Sequence, residues 1–143
     1  MLVSQILKSK GDIVFTIGPD ESVQAASSLL VSRGVGALIV LGPGDEVVGI
    51  VSERDLVRAM AEEGAGALER PVSSCMTRDV VFAEPTEAVD DLMARMTDRR
   101  FRHLPVCRNK ALVGIVSIGD LVKAKIAETE AEAEGLKAYI AHG

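Results

Sequence analysis

The chain has 143 residues, 48% hydrophobic and 26% charged, which suits one compact domain or two very small ones sharing a core. That balance excludes a disordered chain, and two cysteines exclude a disulfide scaffold. Its 16 basic and 21 acidic side chains leave a net charge of −5, a poor match for the phosphates of duplex nucleic acid.

In chain order, the stretch Met1–Gly11 carries Lys8 and Lys10 after its apolar residues, the wrong order for a signal peptide. An extended segment is expected at Ile13–Ile17, followed by a proline turn. An amphipathic helix then spans Val23–Arg33, with Val23, Ala26 and Leu30 at helical spacing. A buried strand is read at Ala37–Leu41, a turn through Gly42-Pro43-Gly44, and a second strand at Val47–Val51. A helix opens at Ser52, and the Gly- and Ala-rich stretch Glu63–Arg70 reads as a connector. The same series then recurs: extended Val80–Ala83, helix Ala88–Arg99, strands His103–Cys107 and Leu112–Val116, and a helix from Ser117. The C-terminal residues Ala127–Ala141 form a Glu-rich helix ending in Leu136, Tyr139 and Ile140, either a solvated tail or a surface that packs across a dimer or docks a partner. No apolar run approaches the ~18–20 residues of a membrane helix, so no membrane partner is expected. Cys75 and Cys107 lack paired spacing, which points to a reducing cytoplasm.

The recurrence is an internal repeat. A shift of 66 aligns Val14 with Val80, Pro19 with Pro85, Glu21 with Glu87, Arg33 with Arg99 and Val40 with Val106. One deletion in a turn changes the shift to 65, which aligns Val48-Gly49-Ile50-Val51-Ser52 with Val113-Gly114-Ile115-Val116-Ser117. Val3-Ser4 and Val72-Ser73 are matching lead-ins. The fold class is therefore α/β (α+β), two β-α-β-β-α copies packed with pseudo-twofold symmetry, since neither copy alone buries enough apolar surface. The boundaries are 1–62 for the first copy with its lead-in, 63–71 for the connector, 72–126 for the second copy and 127–143 for the tail.

The polar residues that recur are Ser52 with Asp55 and Ser117 with Asp120, each pair following a strand and opening a helix. Ser-x-x-Asp there is a capping box. The same geometry suits a ligand: free N–H groups at a helix start attract a phosphate, and the carboxylate accepts from a ribose diol. Both readings stand together. Arg95, Arg99, Arg100, Arg102 and His103 form a basic cluster in which Arg95 and Arg99 read as a solvated helix face. Arg102 and His103 sit at a strand start, where the first copy has the small Gly36 and Ala37 beside which a flat ring can approach. His103 and Cys107 fall on one strand face with no orienting acid, so Cys107 reads as a structural thiol. No metal site and no catalytic constellation emerge.

The doubled Gly-Ile-Val-Ser-x-x-Asp-Leu-Val, with Arg-x-Arg-His-Leu-Pro-Val before the second copy, resembles a pair of CBS motifs (cystathionine-β-synthase type, the Bateman module) from about Val3 to Ile126. It is similar to stand-alone bacterial two-motif proteins through Ser-Glu-Arg-Asp at Ser52–Asp55 and Ser-Ile-Gly-Asp-Leu-Val at Ser117–Val122. The resemblance implies a regulatory, non-catalytic module that binds AMP, ADP, ATP, NAD(H) or S-adenosylmethionine, with no obligatory cofactor, and acts on a partner protein. It implies Asp55 and Asp120 on the ribose, helped by Ser52 and Ser117, in clefts drawing on both copies. One cleft would use Gly36 and Ala37 with Arg102, Ile115, Ser117 and Asp120, its small wall favouring adenine. The other would use Phe101, Arg102 and His103 with Ile50, Ser52, Arg54 and Asp55, Arg54 and Arg58 offering phosphate contacts. A disc-shaped homodimer is implied as well. The competing readings are a dimerisation scaffold whose Ser/Asp pairs are caps only and, more distantly, a nucleotide-hydrolysing enzyme.

Overall fold

The structure, a computed structural model, describes residues 1–142. Gly143, the last residue of the expected tail, lies outside them. The chain is α+β and divides into two compact units, Val14–Val81 and Met1–Ile13 together with Phe82 onward.

In the continuous unit, β1 (Thr16–Ile17) pairs parallel with β2 (Ala37–Leu41), which pairs antiparallel with β3 (Val47–Ser52). Helix α2 (Val23–Arg33) starts where the Ser22 side chain accepts from the Ala25 N–H at 3.0 Å and ends at Gly34, whose φ of 64° is left-handed. Helix α3 (Glu53–Glu63) leads into a 3₁₀ turn at Gly64–Glu69, so the expected connector is itself helical. Alternation along β2 sends Leu38 and Val40 into one core with Val23, Ala26 and Leu30 of α2, Val51, Leu56, Val72 and Met76.

The other unit repeats this plan. It holds α1 (Val3–Lys10), α4 (Val89–Arg99), the antiparallel pair β4 (His103–Arg108) and β5 (Ala111–Ser117), and α5 (Ile118–His142). Val3, Ile6, Leu7, Ala83, Val89, Leu92, Met96, Leu104, Val106, Val116 and Leu121 are its buried apolar residues. Helix α5 runs unbroken for 25 residues from the strand end through the acidic stretch, and Leu136, Tyr139 and Ile140 are exposed on it.

Three findings depart from the sequence reading. The N-terminal lead-in, grouped with the first copy by chain order, is built into the unit of the second. Val3 and Ser4 donate to Glu87 O and Pro85 O at 3.0 and 2.9 Å, and Val89 N donates to Met1 O at 2.9 Å. The second lead-in makes the same bonds in the continuous unit: Val72 N to Glu21 O at 2.7 Å, Ser73 N to Pro19 O at 2.9 Å, and Val23 N to Arg70 O at 2.9 Å. Second, the extended segment at Val80–Ala83 forms no strand, and only Ala83 bridges Val106. The cause is Pro105. In the first copy Ile39 N donates to Phe15 O at 3.1 Å, but its counterpart Pro105 has no N–H to give. The first segment is also shorter than expected, paired only at Thr16–Ile17.

The lead-ins press on equivalent glycines. A Cβ on Gly49 would lie 2.6 Å from Met76 Sδ and 2.9 Å from the Thr77 carbonyl oxygen, whereas the three atoms nearest a Cβ on Gly114 all belong to the Leu7 side chain, the nearest being Cδ2 at 2.7 Å. A backbone carbonyl cannot turn aside as a leucine methyl can. Gly49→Ala is therefore expected to cost about 1–3 kcal/mol and Gly114→Ala clearly less, as denaturant midpoints of the two variants will measure. Equal losses would place the constraint elsewhere.

Candidate functional site at the strand–helix junctions

Each unit ends its hairpin in a serine that starts a helix. At the β3–α3 junction the Ser52 Oγ accepts from Asp55 N at 3.4 Å, and Asp55 Oδ2 accepts from Ser52 N at 2.9 Å and from the Ser52 hydroxyl at 3.0 Å. Asp55 is only 7% exposed, the one buried charged residue among the described residues, and Arg58 Nη1 stands 3.9 Å from its Oδ1. Around it, Ala37 lies opposite Ser52, and the Gly36 carbonyl accepts from Glu53 N at 3.0 Å. Ile50 pairs both of its backbone groups with Thr77, at 3.0 and 2.8 Å. Arg54 is exposed on the first turn of α3. Asp55 and Arg58 also border a hollow of about 210 Å³ with Arg70, Ser74 and Cys75.

The β5–α5 junction has the same frame. Ser117 Oγ accepts from Asp120 N at 3.0 Å, and Asp120 Oδ2 accepts from Ser117 N at 2.8 Å. His103 lies opposite Ser117, and the Arg102 carbonyl accepts from Ile118 N at 2.8 Å. Phe101 is half-buried beside the exposed Arg102, its N–H donating to Met96 O at 3.0 Å. Within the continuous unit, then, Gly36, Ala37, Ile50, Ser52, Arg54 and Asp55 gather at one junction. Within the other, Phe101, Arg102, His103, Ile115, Ser117 and Asp120 gather at the second. The capping geometry expected from Ser-x-x-Asp is present at both.

One further residue reaches the second junction. Lys10, at the end of α1, donates from Nζ to Asp120 Oδ2 at 2.6 Å and to the Ile115 carbonyl at 3.0 Å. In the sequence it is only a basic residue near the N-terminus. No local spacing reveals it, because its partners lie 110 and 105 residues away. Burial pushes the Asp120 carboxyl up, but the Lys10 hydrogen bond, the Ser117 N–H and the charge of Lys10 together outweigh it and hold the group below its ordinary value.

Elsewhere the chemistry is quiet. Burial pushes the Cys107 thiol up, and burial followed by the Asp55 charge does the same to Cys75, the opposite direction from the lowering that activates a thiol. A register shift between Val106 and Cys107 also interrupts the alternation that would align Cys107 with His103. Arg95 leaves the solvated face expected for it. Its Nη2 reaches the Phe82 carbonyl at 3.3 Å and Glu87 Oε2 at 3.2 Å. Among the described residues no His/Cys/Asp/Glu group could hold a metal ion, and no helix is long and apolar enough to cross a membrane.

The CBS domain family matches this chain twice, at residues 4–62 and 72–127. A mitochondrial CBS domain-containing protein of Arabidopsis thaliana is 35% identical over 149 aligned positions, spanning 99% of this chain and 72% of its own. The crystal structure of a CBS-domain containing protein from Agrobacterium tumefaciens superposes with a TM-score of 0.85 at 45% identity, covering 87% of this chain and 92% of that one. A CBS domain pair solved in complex with 5′-methylthioadenosine and S-adenosyl-L-methionine matches with a TM-score of 0.77 at 25% identity, covering 87% of this chain and 98% of that one.

The lowered Asp120 carboxyl makes stability pH-dependent in a defined direction. A group whose pKa is depressed on folding adds stability above its unfolded value, near 4, and that stability is lost as pH falls through the folded value. The difference in melting temperature between the wild type and Asp120→Asn is therefore expected to be full at pH 6 and to close toward pH 3. A gap that stays constant over that range would remove the Lys10–Asp120 pair as its source.

Proposed function

The chain belongs to the CBS-domain family, as a pair of such domains, and from that premise we propose that it is a regulatory module that binds an adenosine-bearing ligand and transmits its occupancy to a partner protein. The ligand class is AMP, ADP, ATP, NAD(H) or S-adenosylmethionine. What carries the reading is the Ser117–Asp120 junction, repeated at Ser52–Asp55. Each sets a carboxylate and a helix start side by side, as a ribose diol with an attached phosphate requires. The relative solved with 5′-methylthioadenosine and S-adenosyl-L-methionine supports the adenosine part of this reading. Gly36 and Ala37 give the adenine ring its close approach, and Ile50, Ile115 and Phe101 supply apolar contact. Arg54, Arg102 and His103 serve the phosphates.

In this reading the protein is a non-catalytic homodimer working in the cytoplasm, where Cys75 and Cys107 stay free. Regulation requires that the ligand bind two arrangements of the module with different affinity, since binding alone shifts nothing. A second reading, a ligand-free dimerisation scaffold, is favoured by the complete capping boxes, which account for both Ser/Asp pairs without a ligand.

A thermal-shift series with AMP, ADP, ATP, NAD(H) and S-adenosylmethionine separates the two. At least one ligand is expected to raise the melting temperature with a concentration dependence that saturates as mass action dictates. Asp120→Ala should then weaken that ligand by about 1–3 kcal/mol in calorimetric titration, the cost of a lost buried hydrogen bond. If every ligand leaves the melting temperature unchanged, the scaffold reading stands instead.

A further inference from the structure

The two junctions share a frame but differ in what reaches them. In the continuous unit, Ile50 is closed by the Thr77 backbone, and Asp55 is satisfied by Ser52 with Arg58 at 3.9 Å. In the other unit, the ammonium of Lys10 bridges the Ile115 carbonyl and Asp120 Oδ2. The lead-ins align at a shift of 69, with Val3 on Val72, Ser4 on Ser73 and Leu7 on Met76, and that shift places the acidic Asp79 opposite Lys10. A cation supplied by the lead-in therefore reaches one junction alone, while the other has only Arg58 of its own helix.

Resting on the adenosine reading above, we propose that Lys10 selects the ligand at the Ser117–Asp120 junction, holding its acceptors while the site is empty and pairing with the ligand's 5′-phosphate when it is filled. The two acceptors Lys10 occupies suit an adenosine, the carboxylate for ribose hydroxyls and the Ile115 carbonyl within β5 for an amine. A ligand must take them from the lysine. Lys10 is the last residue of α1 and its side chain is 33% exposed, so rotation about its own bonds releases it with no backbone rearrangement. The released ammonium needs a counter-charge nearby. A 5′-phosphate provides one through charge-assisted hydrogen bonds. A neutral 5′-methylthio group provides none, and a sulfonium adds a like charge. Lys10 thus disfavours ligands without a phosphate twice, by defending Asp120 and by being left unpaired.

The test is calorimetric titration of AMP and 5′-methylthioadenosine into the wild type, Lys10→Met and Lys10→Arg, with thermal melts showing that all three fold. The wild type is expected to prefer AMP by about tenfold or more, the scale of one charge-assisted hydrogen bond. Lys10→Met should bring the two affinities within about threefold, weakening AMP and strengthening 5′-methylthioadenosine, while Lys10→Arg keeps the preference. An AMP to 5′-methylthioadenosine ratio unchanged in Lys10→Met, with both ligands still bound, overturns the role of Lys10 and leaves the adenosine reading standing. Absence of binding in all three folded proteins overturns both.

Discussion

Each copy of the repeat has backbone groups at its proline turn and first helix that its own residues leave open, and a lead-in from elsewhere in the chain closes them. Glu21 O, Pro19 O and Val23 N are met by Val72, Ser73 and Arg70, and Glu87 O, Pro85 O and Val89 N are met by Val3, Ser4 and Met1. Left unmet in a buried setting, each such group would cost about 1–3 kcal/mol. The same lead-ins bring Met76 against Gly49 and Leu7 against Gly114, so the hairpin glycine must be bare for the closure to form. The division into a continuous and a discontinuous unit follows directly from this exchange.

The exchange also sets the two junctions apart. After one 3₁₀ turn at Val72–Ser74, the second lead-in drops into extended backbone and Thr77 bridges Ile50. The first lead-in stays helical through Lys10 and presents a side chain instead. A strand-to-helix frame that is nearly the same twice over, Ser52–Asp55 and Ser117–Asp120, thereby acquires two electrostatic environments. Asp55 is buried beside its own serine with Arg58 at 3.9 Å, while Asp120 is half-buried and paired with Lys10 at 2.6 Å. Duplication supplied the frame, and the segments ahead of each copy supplied the difference.

Local pattern carried most of this into view before any coordinates. The periodicity of Val23, Ala26 and Leu30 placed α2 at its observed ends, and the apolar runs placed both hairpins to within a residue. Ser-x-x-Asp placed the helix starts, because a capping box is a contact across three residues. What stayed hidden depended on distance along the chain. The loss of a strand at Val80–Ala83 turns on a missing N–H at Pro105, visible only once the pairing partner is known. Lys10 could not be read at all, since nothing near it differs from an ordinary surface lysine.

The inserted position of Val14–Val81 has a consequence for how the chain comes together. Every residue of that unit leaves the ribosome in one uninterrupted run, so it can close as soon as its own lead-in, Pro71 to Met76, has emerged. Helix α1 is made earlier than any of this but must wait, its donors open to water, until Pro85, Glu87 and the strand bearing Gly114 exist. The loop it then closes is long, yet closure entropy grows only logarithmically with length. Vectorial synthesis thus completes the inner unit first, and helix α1, made before it, closes afterwards as the last clasp.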